Sequence, residues 1–403
     1  MHKILFLIIL LVEEILTTTK RMEVFSENKE IHNNFGVGVS ISGNFAVIGS
    51  PWEEDETENE AGEKGVGGRA YVFLRQDSHW KQIGTLFSNS TEKGDDFGAS
   101  VSVSGNRTVV GAPIHNLTGA VFVFCFGADD QSPVPWIKQT YKLVPEDAEA
   151  GDQFGIDVSL SGNTLLVGSL FSASTESQMQ VGSAYVFSFD GSTWTQSAKL
   201  LPSYSTLFDG FGTAVSISNS VAIVGAPQCD ENGVDSGAAF IFELTDSVWT
   251  QSAMLLPNDS ESGDHFGNSV SVSGNLALVG APWNDEVGAV YVFSRVGSSW
   301  VQTHKILPGD SVDFFGVTVS INGRYAVIGA YEIRPDSSLS GCAFIFHFVN
   351  DNWILVSRMP KITDDDDDDF SYSHLHDISL YEGVDLVDGP FEFKRLDQKL
   401  EDD

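Results

Sequence analysis

Along most of the chain, short apolar runs alternate with Ser, Thr or Asn at a period of two, and Gly-bearing turns close them. Asn268-Ser269-Val270-Ser271-Val272 is one such run, followed by the turn Ser273-Gly274-Asn275 and the more apolar segment Leu276 to Val279. Period-two alternation puts every second side chain on one face, so these segments predict two strands joined by a tight hairpin. Gly288-Ala289-Val290-Tyr291-Val292-Phe293 predicts a third strand, and Trp300 to Leu307, after the turn Gly297-Ser298-Ser299, a fourth. No repeat shows a 3.6-residue apolar period long enough for a helix.

The same order recurs. Phe-Gly pairs stand at Phe35-Gly36, Phe97-Gly98, Phe154-Gly155, Phe211-Gly212, Phe266-Gly267 and Phe315-Gly316. Each copy closes its second strand on Gly-Ala-Pro, as at Gly225-Ala226-Pro227 and Gly280-Ala281-Pro282, or on a variant such as Gly49-Ser50-Pro51, Gly168-Ser169-Leu170 or Gly329-Ala330-Tyr331. A repeat of roughly 50–60 residues signals a propeller or solenoid, because a lone four-stranded meander cannot bury both faces. First strands carry small residues, such as Ala99, Ser100 and Ser102, as expected where blades converge and space is scarce. Third strands carry aromatic pairs, among them Phe122/Phe124, Tyr185/Phe187 and Phe240/Phe242, where diverging blades leave volume to fill. Trp80, Trp136, Trp194, Trp249, Trp300 and Trp353 open the later strand of each copy and read as packed core. Of the tryptophans, only Trp52 and Trp283 fall outside repeat positions, where a sugar-stacking platform would need them.

These six copies of Phe-Gly and Gly-Ala-Pro resemble the FG-GAP repeat family, best known from the N-terminal propeller of integrin alpha subunits. The resemblance covers about residues 33 to 357 strongly and implies an all-β, seven-bladed propeller of four-stranded antiparallel blades. Repeats start near 35, 97, 154, 211, 266 and 315, and a degenerate seventh starts near 370. There Asp377-Ile378-Ser379-Leu380-Tyr381-Glu382-Gly383 imitates a first strand and turn, and Val384 to Pro390 a second strand with a Gly-Pro ending. Glu23-Val24-Phe25 would add the missing outer strand and clasp the ring, removing open sheet edges. Six blades with an acidic tail is the alternative. Either way, residues 22–403 form one propeller domain.

Composition narrows the partners. With 56 acidic against 22 basic residues the formal charge is -34, which disfavours nucleic acid and anionic membrane surfaces and favours basic or cationic ones. Three cysteines, Cys125, Cys229 and Cys342, leave at least one thiol outside any intramolecular pair. Met1-His2-Lys3 and the apolar run Ile4 to Val12 read as a signal peptide over residues 1–21, too short to span a bilayer. A docked apolar strand is the other reading. In a secreted or surface-associated chain, the sequons at Asn89, Asn106, Asn116 and Asn258 are candidate glycosylation sites.

Candidate chemistry is confined to loops. An acidic or amide residue stands two positions before each Phe: Asn33, Asp95, Asp152, Asp209, Asp264 and Asp313. A short carboxylate there is expected to accept hydrogen bonds from its own turn, or to add to a negative funnel on one face of the ring. The integrin resemblance implies calcium loops between the first two strands, but minimal turns such as Ser104-Gly105-Asn106 cannot furnish six to eight oxygens. No cofactor is therefore expected; Asp230, Asn232 and Asp235 are what is left as a candidate cation loop. No His-Glu-x-x-His, paired-Cys or Gly-x-Ser-x-Gly motif is present. The expected function is a non-enzymatic binding scaffold, adhesion-like, that recognises protein or glycan through its loops. A secreted hydrolase or lyase using funnel carboxylates, and an oligomeric structural protein, remain as alternatives.

Overall fold

The computed structural model describes residues 34–54, 67–76, 79–129, 132–173, 180–204, 206–309, 312–333 and 339–359. Among them the chain forms six four-stranded antiparallel sheets, each a meander in sequence order, which we number blades 1 to 6. Blade 5 is typical, with strands Ser269–Ser273, Leu276–Ala281, Ala289–Val296 and Ser299–Ile306. Its third and fourth strands shift register between Val292 and Phe293. A shift at the equivalent place, as between Val186 and Phe187 or Ile241 and Phe242, twists each outer strand away from the inner ones. The leader over 1–21, the segment Glu23-Val24-Phe25 and the degenerate repeat near 370 lie outside the described residues.

The core sits between blades. In one cluster Val47, Ala70, Val72 and Leu86 of blade 1 pack with Phe97, Val101, Val110, Phe122 and Phe124 of blade 2. The Phe of each Phe-Gly is buried and meets the third-strand aromatics of its own blade edge-on, as Phe97 does Phe122 at 5.4 Å and Phe266 does Tyr291 at 5.5 Å. The tryptophan stripe is less uniform than its sequence position predicts. Trp194 and Trp300 are buried, whereas Trp136, on the same outermost strand of its own blade, is half exposed.

The two glycine motifs meet at every described blade junction. Within a blade, the Phe-Gly amide donates to the carbonyl of the Gly-Ala-Pro glycine, as from Gly267 to Gly280 at 3.0 Å. Across the junction, a Cβ on Gly225 would stand 2.0 Å from the Gly267 carbonyl oxygen, and one on Gly168 2.0 Å from that of Gly212. Blades approach too closely here for any side chain, which is the physical reason for both motif glycines.

Serine has a second purpose besides smallness. The innermost strand of each blade is a sheet edge whose outward N–H groups lack a strand partner. Hydroxyls from the preceding blade satisfy them: Ser40 accepts from Val103, Ser102 from Leu160, Ser159 from Ile217, Ser216 from Val272 and Ser271 from Ile321, at 3.0 to 3.1 Å. A second rung joins Ser42 to Gly105, Ser104 to Gly162, Ser161 to Asn219, Ser218 to Gly274 and Ser273 to Gly323.

Candidate functional site

The meander gives the ring two unlike faces. Hairpin turns between first and second strands, and between third and fourth, lie on one face; the longer second-to-third loops and the blade-to-blade connections lie on the other. The first-to-second turns are Ser, Gly and Asn with a left-handed residue such as Gly105 or Asn219. The loop face instead exposes Leu117, Val234 and Trp283 from second-to-third loops, Trp52 near the end of the second strand Phe45–Glu54, and Phe87, Phe208 and Leu307 from connections. Other exposed apolar residues sit on the outer two strands: Ile354 within a fourth strand, and Val248 and Val296 next to third-to-fourth turns.

Four of the carboxylates before Phe-Gly are hydrogen-bonded within their own turns. Oδ2 of Asp95, Asp152, Asp209 and Asp264 each accepts the backbone N–H three residues earlier, from Glu92, Glu149, Thr206 and Glu261, at 2.6 to 2.9 Å. Asp152 is only 3% exposed and Asp264 4%, so neither presents a charge to solvent. Burial raises the carboxyls of Asp152 and Asp209 above the ordinary range. Asp313 begins the first strand of blade 6, opposite Tyr331. Asn33 lies outside the described residues.

Sequence reasoning passed over the position four residues after the Gly of Gly-Ala-Pro. It holds Glu53, His115, Ser172, Cys229 and Asn284 in blades 1 to 5, all buried beneath the second-to-third loop. The varied residue types hid it; only its constant offset from the repeat marks it. His115 lies 2.6 Å from Asp95 Oδ2 through Nδ1 and 2.6 Å from the Lys142 ammonium through Nε2. Because an ammonium only donates, Nε2 accepts and the ring proton is on Nδ1, facing the carboxylate. In blade 5 Asn284 Nδ2 donates to Asp264 Oδ2 at 3.0 Å in the same place. His115 and Asn284 are thus loop anchors that tie a second-to-third loop to the turn before Phe-Gly, whereas Glu53 and Ser172 bond to Tyr71 and Tyr185 of the third strand.

One carboxylate stands apart from all these patterns. Asp157 occupies the innermost-strand position that is Ser100 in blade 2 and Ser269 in blade 5. Its Oδ2 accepts from Val215 N of blade 4 at 2.7 Å and its Oδ1 from Val158 N at 2.8 Å, adding a third rung at this junction. Burial pushes its carboxyl up to about 7, against the pull of the two N–H donors.

Aromatic rings form a row on the loop face between blades 5 and 6. Trp283 lies 4.7 Å from His265 and 5.5 Å from Phe314, and Phe314 lies 6.1 Å from Tyr331.

In the candidate cation loop, Asp230 Oδ1 accepts from Asp235 N at 2.8 Å and Asp230 O from Gly233 N, a turn closed on itself. Among the described residues no three His, Cys, Asp or Glu side chains group so as to hold a metal ion. No disulfide joins the three cysteines, and burial raises the Cys229 thiol to about 11. The four sequon asparagines are all exposed. No described helix is long and apolar enough to cross a membrane.

Solved structures similar to this chain align with it at low identity. Sqt1 of Chaetomium thermophilum, bound to the N-terminus of ribosomal protein L10, aligns with TM-score 0.47 and 13% identity, over 80% of this chain and 86% of that one. A candidate 6-phosphogluconolactonase of Bacteroides uniformis aligns with TM-score 0.48 and 11% identity, over 80% and 84%. Likenesses this distant carry nothing about activity. No curated protein matches the chain. The FG-GAP repeat model matches residues 23–73, 80–124, 137–187, 194–242, 249–293 and 300–346. With its two glycine motifs meeting at the blade junctions and six matched repeats across most of its length, the chain belongs to the FG-GAP repeat family.

Proposed function

We propose that the protein is a non-enzymatic binding scaffold, secreted or held at a cell surface, that recognises a protein or glycan through the loop face of its ring. The observation that carries this is the segregation of exposed apolar side chains in the connecting segments to that face, opposite a face of polar turns. The turn carboxylates are structural: buried and hydrogen-bonded within their own turns, Asp152 and Asp264 offer no free oxygen pair for acid–base work. No cofactor enters this function. Val234→Glu and Trp52→Glu on the loop face, set against Ser192→Glu and Asn275→Glu on the turn face, test it on arrays of extracellular proteins and glycans. Binding lost only in the loop-face pair is expected; equal loss in both pairs would refute it.

The same proposal includes ring closure by a seventh blade. The later family matches begin at or next to a Trp on the fourth strand of the preceding blade, so the matched unit is offset from the blade by one strand. The first match begins at residue 23, ahead of blade 1, which supports the reading of Glu23-Val24-Phe25 as an outer strand for a further blade. In sequence, Ile378-Ser379-Leu380 repeats the apolar-Ser-apolar pattern that carries the inter-blade serines, as in Val158-Ser159-Leu160. A chain ending after residue 359 is expected to melt well below the full chain; equal melting temperatures would leave six blades.

A further inference from the structure

We propose that Trp283, held between His265 and Phe314, is a stacking platform for a neutral pyranose residue of a glycan, a site that rests on the loop-face reading above. Trp283 follows Gly280-Ala281-Pro282 at the mouth of a second-to-third loop and is 45% exposed. The His265 ring meets it at 4.7 Å and 55°, and the Phe314 ring at 5.5 Å and 72°. Tyr331, itself buried, backs Phe314 at 6.1 Å. An indole wedged in this way has little rotamer freedom left to lose on binding, which is the condition for a preorganised contact.

Backbone conformation singles out the same place. The residue before each Phe-Gly is left-handed, with φ 51° at Asn34, 58° at Asp96, 53° at Gln153 and 72° at Gly210. Asn, Asp and Gly tolerate that region; a bulky aromatic does so at a cost. Blade 6 nonetheless holds Phe314 there at φ 56°, and blade 5 holds His265 at φ 52°. His, like Asn and Asp, is at home in that region, so the strained position is Phe314, the ring that flanks the exposed indole from blade 6. Trp52 stands three residues after Gly49 as Trp283 does after Gly280, but it lies within the second strand of blade 1, and among the described residues no ring contact flanks it.

The chemistry fits a sugar of one charge class. The apolar C–H face of a pyranose stacks on the negative face of an indole, and its hydroxyls need both acceptors and donors around it. The turn that carries Trp283 also carries exposed Asp285 and Glu286, and Lys305 Nζ lies 3.7 Å from Asp285 Oδ2. Uronates, sulfated sugars and sialosides would meet these carboxylates and a chain of net charge -34, so the site selects neutral sugars.

The test is titration of the full chain, read by tryptophan fluorescence and by calorimetry. Probes are neutral oligosaccharides ending in glucose, galactose, mannose or N-acetylglucosamine, together with an anionic polyuronate oligomer and an oligo-lysine peptide. Saturable binding of at least one neutral oligosaccharide is expected, weakened about tenfold or more by Trp283→Ala and by Phe314→Asn. Phe314→Asn suits the left-handed backbone, and equal melting temperatures confirm that both variants fold. Trp52→Ala should leave this binding unchanged. Absence of neutral-sugar binding, binding indifferent to Trp283→Ala, or Trp283-dependent binding of oligo-lysine in place of sugar would each overturn the proposal. If Val234→Glu still abolishes partner binding while Trp283→Ala does not, the loop-face function stands and this site alone falls.

Discussion

Asp157 offers the sharpest quantitative check on how the blades are joined. Its carboxyl, raised from 3.8 to about 7 by burial between blades 3 and 4, binds a proton more tightly in the folded chain than in the unfolded one. Stability from this group is therefore fully present below pH 4 and falls as the pH rises through 7, where both states are ionised. About three pKa units correspond to at most about 4 kcal/mol, of which about 2.5 kcal/mol develops between pH 5 and pH 8.5. Asp157→Asn removes the charge and keeps an acceptor for Val215 N. For a ring of this size the entropy of unfolding is about 0.7 kcal/mol per degree, so the melting temperature of the variant should gain about 4 °C on the wild type across that pH range. Comparing the two proteins at each pH cancels the repulsion among the other acidic residues, which also eases in acid. A difference that does not change with pH would show that the carboxyl titrates as an ordinary one. A variant that loses stability as the pH rises would show that the two N–H donors hold the ionised form, and would reverse the sign of the argument.

Other substitutions probe the same junctions. Ser216→Ala leaves the Val272 N–H without its acceptor and should lower stability by about 1–3 kcal/mol in denaturant titration, whereas Ser192→Ala in an exposed turn should have a much smaller effect. Gly225→Ala places a methyl group 2.0 Å from the Gly267 carbonyl oxygen and should cost about 3 kcal/mol or more, or prevent folding, as seen by loss of soluble protein. His115→Ala should loosen the loop over residues 113–119, seen as faster amide exchange of Gly119, whose N–H donates to the His115 carbonyl. Millimolar calcium should not move the melting temperature, since Asp230 and Asp235 already close their turn without an ion; a rise would reopen the 230–235 loop as a cation site.

The sequence by itself determined the strands, the repeat and the family, because alternation at period two and a Phe-Gly recurring about every 50–60 residues are local or periodic signals. It also determined the aromatic third strands, whose rings pack on the Phe of the same copy. Tertiary structure decided what crosses the junctions. Ser102 is separated from its partner Leu160 by a whole repeat, so from sequence it reads as a small residue rather than as the cap on an edge-strand N–H. Gly225 reads as part of a turn, and only the neighbouring blade shows that it leaves room for the Gly267 carbonyl. The same holds for function. Asp152 and Asp264 read from sequence first as turn residues and second as part of a negative funnel; their burial and the N–H groups of Glu149 and Glu261 that they accept are visible only in the folded ring. His265, Trp283 and Phe314 are isolated aromatics in three different segments, and only the packing of blade 5 against blade 6 sets them in one row. Hydrogen bonds and ring contacts between residues distant in sequence leave no periodic trace, so such features become visible only once the ring is assembled.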